Sequence, residues 1–254
     1  MSSAPGAYII CATPRSGSTL LCDLLGQTGV AGRPHSYYRR ESLPDFLAAF
    51  GMASDDGPDF ERRYLAAAIS AGTAGTGMFG LRLMWPSMAD LQAQLARLFP
   101  HAAGDRERIG LAFGATLYVH LQRRDRVAQA VSRLKAEQSG LWHRDTEGGV
   151  RDGDEPRAAP VYDPEVIAAF VAETENHEAA WADWFDAAGI VPFELNYEEL
   201  VADPREAIGR VLAALGRDRA LAGRGVPQTA QLADAQSSAW ADRFRREHRR
   251  SSGA

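Results

Sequence analysis

The sequence predicts an α/β protein built on a doubly wound parallel sheet with helices on both faces. Three observations carry that prediction. Short apolar runs alternate with longer amphipathic ones along the chain. The first apolar run, Tyr8-Ile9-Ile10-Cys11-Ala12, breaks off in the polar loop Thr13-Pro14-Arg15-Ser16-Gly17, and an amphipathic run starts at once. A later apolar run, 114–121, feeds directly into Gln122-Arg123-Arg124-Asp125 and another amphipathic run. In open parallel sheets the ligand binds beyond the carboxyl ends of the strands. Both polar segments lie at such ends.

The elements follow in order. Residues 7–12 read as the first strand and 18–26 as the first helix, with Leu20, Leu21, Leu24 and Leu25 spaced to share a core-facing side. Residues 28–31 are expected to add a short second strand. Helices are expected over 43–52 and 60–71, followed by an apolar run, 78–85, that carries the single cation Arg82. An amphipathic helix is expected over 88–99, and a long one over 125–142. The stretch 147–161 is polar and aperiodic, which suits a mobile loop or lid. A long helix over 164–188 carries Trp181, Trp184 and Phe185, and 190–196 reads as a strand. Asp203 is placed to cap a helix that has Pro204 at its first position and runs to Leu215. The tail, 237–250, reads as a basic helix. There is no internal repeat, and 254 residues suit a single domain, 1–254.

Composition narrows the function classes. With 45% hydrophobic and 24% charged residues, the chain can bury a sizeable core. A net charge of -5 argues against a general nucleic-acid binder. No apolar stretch reaches membrane-spanning length, and the N-terminus lacks a basic-then-apolar signal, so a soluble, cytoplasmic protein is expected. The two cysteines, Cys11 and Cys22, fall in the first strand and first helix and read as reduced core residues. The six histidines do not cluster at metal-ligand spacing, so no metal site is expected.

The first loop carries chemistry. A buried strand that delivers a tight loop to a helix N-terminus aims backbone N–H groups at one spot, and the helix dipole adds positive potential there. Arg15 adds a full charge, Gly17 allows close backbone approach, and Ser16, Ser18 and Thr19 add hydroxyl donors. The result is an anion cradle suited to phosphate. A Walker loop, G-x-x-x-x-G-K-[ST], would need a lysine here for the outer phosphates, and the chain has none. A second signal is Arg123 directly after a strand, with Ser132 nine residues later on the next helix. A guanidinium fork plus a hydroxyl suits a second phosphate. A third is Phe193-Glu194-Leu195-Asn196-Tyr197-Glu198-Glu199-Leu200 before Asp203-Pro204. Tyr197 there is expected to be packed and Glu198 to be bonded into the fold.

Pro14-Arg15-Ser16-Gly17-Ser18-Thr19-Leu20-Leu21 resembles the 5′-phosphosulfate loop of sulfotransferases, which use 3′-phosphoadenosine 5′-phosphosulfate (PAPS). The Arg123 and Ser132 pair resembles their 3′-phosphate clamp. More closely, the chain resembles the mycobacterial trehalose 2-sulfotransferases and the related bacterial lipopolysaccharide sulfotransferases. The resemblance extends through Thr28-Gly29-Val30-Ala31-Gly32, Leu83-Met84-Trp85, Asp125, Gln129-Ala130-Val131-Ser132, Ala233-Asp234 and Trp240. It implies a P-loop-like sulfotransferase fold, PAPS as donor, a hydroxylated small-molecule or glycolipid acceptor, and a homodimer. It also implies that Arg15, Ser16, Gly17, Ser18, Thr19, Arg123 and Ser132 bind the donor.

Two departures from the family stand out. The family places a general-base glutamate where this chain has Ser36, and a serine cannot take that proton with a useful pKa. His35 and Glu41 are the substitutes in reach along the chain, with Asp45 further off; histidine as a residue type titrates near neutral pH. The family's lysine at position 82 is Arg82 here, a candidate for stabilising the bridging oxygen or binding the acceptor. Tyr37, Tyr38 and Trp85 are candidates for stacking on a sugar acceptor. Two alternatives stay open: a P-loop small-molecule kinase, and a degenerate sulfotransferase-fold protein that binds nucleotide without turnover.

Overall fold

A computed structural model describes residues 5–53, 57, 59–144, 150–153, 159–224 and 235–251. The chain opens with β1 (Ala7–Ala12) and α1 (Ser18–Gln27), then a 3-10 turn over Arg40–Ser42. Helices α2 (Leu43–Ala49) and α3 (Phe60–Thr73) lead to β2 (Phe79–Met84), α4 (Trp85–Leu98) and α5 (Asp105–Phe113). Next come β3 (Thr116–Gln122), α6 (Arg126–Ser139), and the short strands β4 (Leu141–Arg144) and β5 (Val150–Gly153). The chain finishes with α7 (Pro164–Ala188), β6 (Phe193–Asn196), α8 (Tyr197–Ala202), α9 (Pro204–Ala214), a 3-10 stretch over Arg219–Arg224, and α10 (Ala235–Ser251).

Four strands form a parallel sheet in the order β2-β1-β3-β6. All six residues of β1 are buried, as a central strand covered on both faces must be. Its alternation divides the core. Ala7, Ile9 and Cys11 pack with side chains of α2, α3, α4, α5 and α7. Tyr8, Ile10 and Ala12 pack with α1, α8 and α9. The expected doubly wound architecture is therefore the observed one. A smaller core joins α6, α7 and α10 around Val131, Ile167 and Phe244. Among the described residues no helix is long and apolar enough to cross a membrane.

Most elements sit within a few residues of their expected places; the short helix α8 was not expected, and four further points differ. No strand forms over 28–31. The Thr28 hydroxyl donates to the Leu25 carbonyl at 2.6 Å, and the chain turns through Gly29 and Gly32. Gly32 has φ of 70°, and a Cβ there would run into the carbonyls of Gly72 and Met78. The helix expected over 125–142 ends at Ser139, and the chain turns into β4. Helix α5 was not expected, because its sequence, DRERIGLAF, is charged and buries only Ile109 and Phe113. Of the expected loop 147–161, residues 150–153 form β5, while 147–149 and 154–158 lie outside the described residues. Ala233 and Asp234 lie outside them as well. Cys11 and Cys22 are buried and unbridged, as expected, and burial pushes the Cys22 thiol up to about 12.

Candidate active site

The sheet order reverses between β1 and β3, so the loops that leave their carboxyl ends stand side by side. The loop after β1 is tight. Ser16 N–H donates to the Thr13 carbonyl at 3.3 Å. Arg15 and Gly17 both hold positive φ, 64° and 91°. Gly17 is the N-cap of α1, where a Cβ would run into the Tyr197 ring. Arg15, which has a Cβ, is held in the left-handed region where non-glycine residues concentrate at functional loops. The N-cap of α1 is a glycine with no side chain to cap the first turn, and a helix N-terminus of this kind suits an anion.

Three arginines surround this loop. Arg15 Nε donates to Ser132 Oγ on α6 at 3.0 Å. Arg123 follows β3 and lies over the Tyr197 ring, 4.5 Å from its centre, with one nitrogen 3.4 Å from the Arg15 carbonyl. Its Nε is buried with no hydrogen-bond partner. Burial draws its guanidinium below the ordinary value, against the raising influence of Tyr197, Asp125 and Glu198. Arg82, near the end of β2, donates at 2.7 Å from Nε to Ser36 Oγ and at 2.7 Å from another nitrogen to Thr19 Oγ1. Among the described residues no carboxylate pairs with Arg82. Glu198 has the structural role expected of it: its carboxylate accepts from the backbone N–H of Arg124 at 3.1 Å and of Asp125 at 3.3 Å.

These groups face one cavity of about 1160 Å³. Arg15, Gly17, Ser18, Thr19, Arg123 and Ser132 line it, together with Arg82, Ser36 and Glu41. Ser16 is the exception within the loop. It is fully buried beneath the turn and does not line the cavity. The Glu41 side chain is exposed and pairs with Arg39 at 3.2 Å.

Four expected site residues lie elsewhere. His35 does not line the cavity. Its Nδ1 accepts the Ser36 N–H at 2.9 Å, and its ring meets Phe46 edge-on at 5.1 Å. Tyr37 and Tyr38 are core residues, 3% and 6% exposed. The Tyr37 hydroxyl donates to the Arg33 carbonyl at 2.9 Å, and Tyr38 packs edge-on against Tyr64. Trp85 packs edge-on against the buried Trp181. The 35–38 rings find apolar cover against Phe46 of α2 and Tyr64 of α3, and Trp85 finds it against Trp181 of α7.

The structure also adds residues that the sequence reading passed over. Arg245 of α10 reaches both oxygens of Asp125, at 2.6 and 2.7 Å, and lines the cavity wall. Behind the loop stands a buried polar group made by Glu178, His120, Gln122 and Gln129. The signal for it was present in the sequence: His120 and Gln122 interrupt an otherwise apolar strand, and Glu178 interrupts an apolar helix face.

Residues 7–247 match the family model described as Stf0 sulphotransferase. The chain belongs to the Stf0 sulphotransferase family. A curated relative, the trehalose 2-sulfotransferase of Mycolicibacterium smegmatis, is 31% identical over 98% of this chain and 98% of its own length. The trehalose 2-sulfotransferase of Mycobacterium tuberculosis is 32% identical, covering 97% of each. Among solved structures, a sulfotransferase domain from a Synechococcus olefin synthase aligns with a TM-score of 0.42 and 19% identity, over 96% of this chain and 89% of that one. A sulfotransferase from Alicyclobacillus acidocaldarius aligns with a TM-score of 0.41 and 15% identity, over 93% and 89%. The cavity at the ends of β1 and β3 is the candidate active site of a sulfotransferase.

Proposed function

We propose that this sulfotransferase moves a sulfuryl group from PAPS to a hydroxyl of a carbohydrate or other small hydroxylated acceptor. The observation that carries the reading is the meeting of Arg15, Arg123 and Ser132 at the mouth of the uncapped helix α1. That cluster offers two adjacent places for anionic groups, which a nucleotide with 5′ and 3′ phosphates would fill. The buried, unpartnered Nε of Arg123 fits a ligand acceptor at that point. The names of the two mycobacterial relatives favour a sugar hydroxyl as acceptor.

Bound there, PAPS supplies the sulfuryl group, which the acceptor oxygen takes as the sulfur–phosphate oxygen bond breaks. Arg15 and the first-turn N–H groups of α1 neutralise the charge left on the 5′-phosphate. Arg123 and Ser132 hold the 3′-phosphate. Arg82, steadied by Ser36 and Thr19, places an uncompensated cation beside the reacting oxygens. Glu41 takes the acceptor proton, because it is in the cavity and His35 is not. As in other group transfers of this kind, positioning and charge stabilisation do most of the work. We also propose that the protein is a homodimer, for which light scattering is the direct measurement.

Transfer from ³⁵S-labelled PAPS to a panel of hydroxylated acceptors, trehalose among them, tests the reading. Labelled, acceptor-dependent product supports it. Tight binding of adenosine 3′,5′-bisphosphate without turnover on any acceptor would mean a nucleotide-binding module. Preference for ATP with Mg²⁺ would mean a kinase.

A further inference from the structure

Beneath the anion loop, on the side away from the cavity, the carboxylate of Glu178 is 7% exposed. Four donors surround it, two to each oxygen. Oε1 accepts from Thr13 Oγ1 at 3.1 Å and from Arg126 at 3.2 Å. Oε2 accepts from Gln122 Nε2 at 3.0 Å and lies 2.9 Å from His120 Nε2. The other imidazole nitrogen faces Glu194. Thr13 opens the loop, and its hydroxyl is used twice, since it also accepts from Gln129 Nε2 at 2.9 Å. Gln129 donates to the Pro14 carbonyl as well, at 2.7 Å. One turn further along α7, Trp181 Nε1 donates to the Ala12 carbonyl at 3.2 Å. Three consecutive residues, Ala12, Thr13 and Pro14, are thus tied to α6 and α7 just before the strained Arg15.

A buried carboxylate is costly unless it is fully satisfied. An apolar side chain at position 178 would fill the same space between β3 and α6, with no hold on Thr13. Arg15 sits at positive φ, a conformation that persists only when its surroundings over-determine it. The fastening of 12–14 supplies that surrounding.

We infer that Glu178 is a positioning residue: by holding Thr13 it fixes the loop conformation in which Arg15 and the start of α1 receive the donor's anionic groups. This rests on the donor reading of the loop. It acts through Thr13 and touches no reacting atom.

The test compares Glu178→Leu, Thr13→Val and the double variant with the wild type, using the full chain. Calorimetry with adenosine 3′,5′-bisphosphate gives affinity without turnover, and steady-state kinetics gives KM for each substrate and kcat. Loss of one hydrogen bond to a charged group corresponds to about tenfold in affinity. Each single variant should therefore raise Kd and the donor KM about tenfold while leaving the acceptor KM unchanged. The double variant should be no worse than Thr13→Val, because Thr13→Val already removes the hydroxyl through which Glu178 acts, along with its bond from Gln129. If Glu178→Leu fails to fold, Thr13→Val decides alone, since it leaves Glu178 with its other three donors. Affinity within twofold of wild type in Thr13→Val, or additive losses in the double variant, overturns the inference. A wild-type chain that does not bind adenosine 3′,5′-bisphosphate overturns the donor reading instead.

Discussion

Arg15 Nε donates to Ser132 Oγ at 3.0 Å, joining the loop after β1 to the middle of α6 across 117 residues of chain. The serine was expected to partner Arg123. In the fold it holds Arg15, and Arg123 lies over Tyr197 with a nitrogen 3.4 Å from the Arg15 carbonyl. The two arginines and the serine are therefore one cluster, and a nucleotide's two anionic ends would share it.

This clustering leads us to expect that adenosine 3′,5′-bisphosphate binds at least about tenfold better than AMP, since one charge-assisted phosphate contact contributes about 1.5–3 kcal/mol. Calorimetry with both ligands is the measurement. Equal affinities would remove the second phosphate position.

Arg15→Ala should weaken nucleotide binding by a comparable factor, and Arg124→Ala should leave it nearly unchanged. Arg15 lines the cavity, whereas Arg124 points away and pairs with Glu199 at 2.7 Å on the surface. Matched titrations compare them. A larger loss from Arg124→Ala would show that the site is misplaced.

Glu41→Gln should lower kcat by about 10²–10⁴-fold with little change in nucleotide affinity, the usual contribution of a positioned base. His35→Ala should keep near wild-type kcat, because its ring packs on Phe46 outside the cavity. The reverse result would return the role to the histidine.

Gly17→Ala should destabilise the chain by about 1–3 kcal/mol and impair nucleotide binding more than Gly51→Ala does. Both glycines have positive φ, 91° and 64°, but only Gly17 has the Tyr197 ring where a Cβ would go. Chemical denaturation of the two variants checks this.

The His120 and Glu178 pair should give stability a pH signature. Burial opposes charge on His120, but Glu178 and Glu194 outweigh it and hold the imidazole above its usual 6.5. Burial likewise opposes charge on Glu178, but its hydrogen bond to His120 and the charge of Arg126 hold it below 4.5. The histidine's contribution is complete below about pH 6.5 and is lost as pH rises through its raised native value. The glutamate's is complete above about pH 4.5 and is lost as pH falls through its depressed native value. The melting-temperature gap between wild type and His120→Gln should thus be widest between those limits and narrow as pH rises through the raised histidine value. A gap that does not change with pH would contradict the charged pair.

Much of this protein was legible along the chain. The apolar run at 7–12, the leucine spacing after it and the Asp203-Pro204 signal are local patterns, and β1, α1 and α9 appear where those patterns put them. Arg15 and Arg123 were marked because a cation at a strand end needs a reason, Ser132 and Arg82 by the resemblance to sulfotransferases, and all four line the cavity.

The sequence by itself determined the alternation of strands and helices, the tight loop after β1 and the cations at the strand ends, because these depend on side-chain periodicity and on residues adjacent in the chain. Only the tertiary structure decided which of them meet. Ser132 joins Arg15, and Ser36 joins Arg82 across 46 residues. His35 turns out of the cavity while Glu41 stays in it, and Tyr37 and Tyr38 go into the core. Glu178 reaches Thr13 across 165 residues. Such pairings depend on how the sheet brings distant strand ends together and on which side of each segment finds apolar cover, and neither is written in the spacing of neighbouring residues.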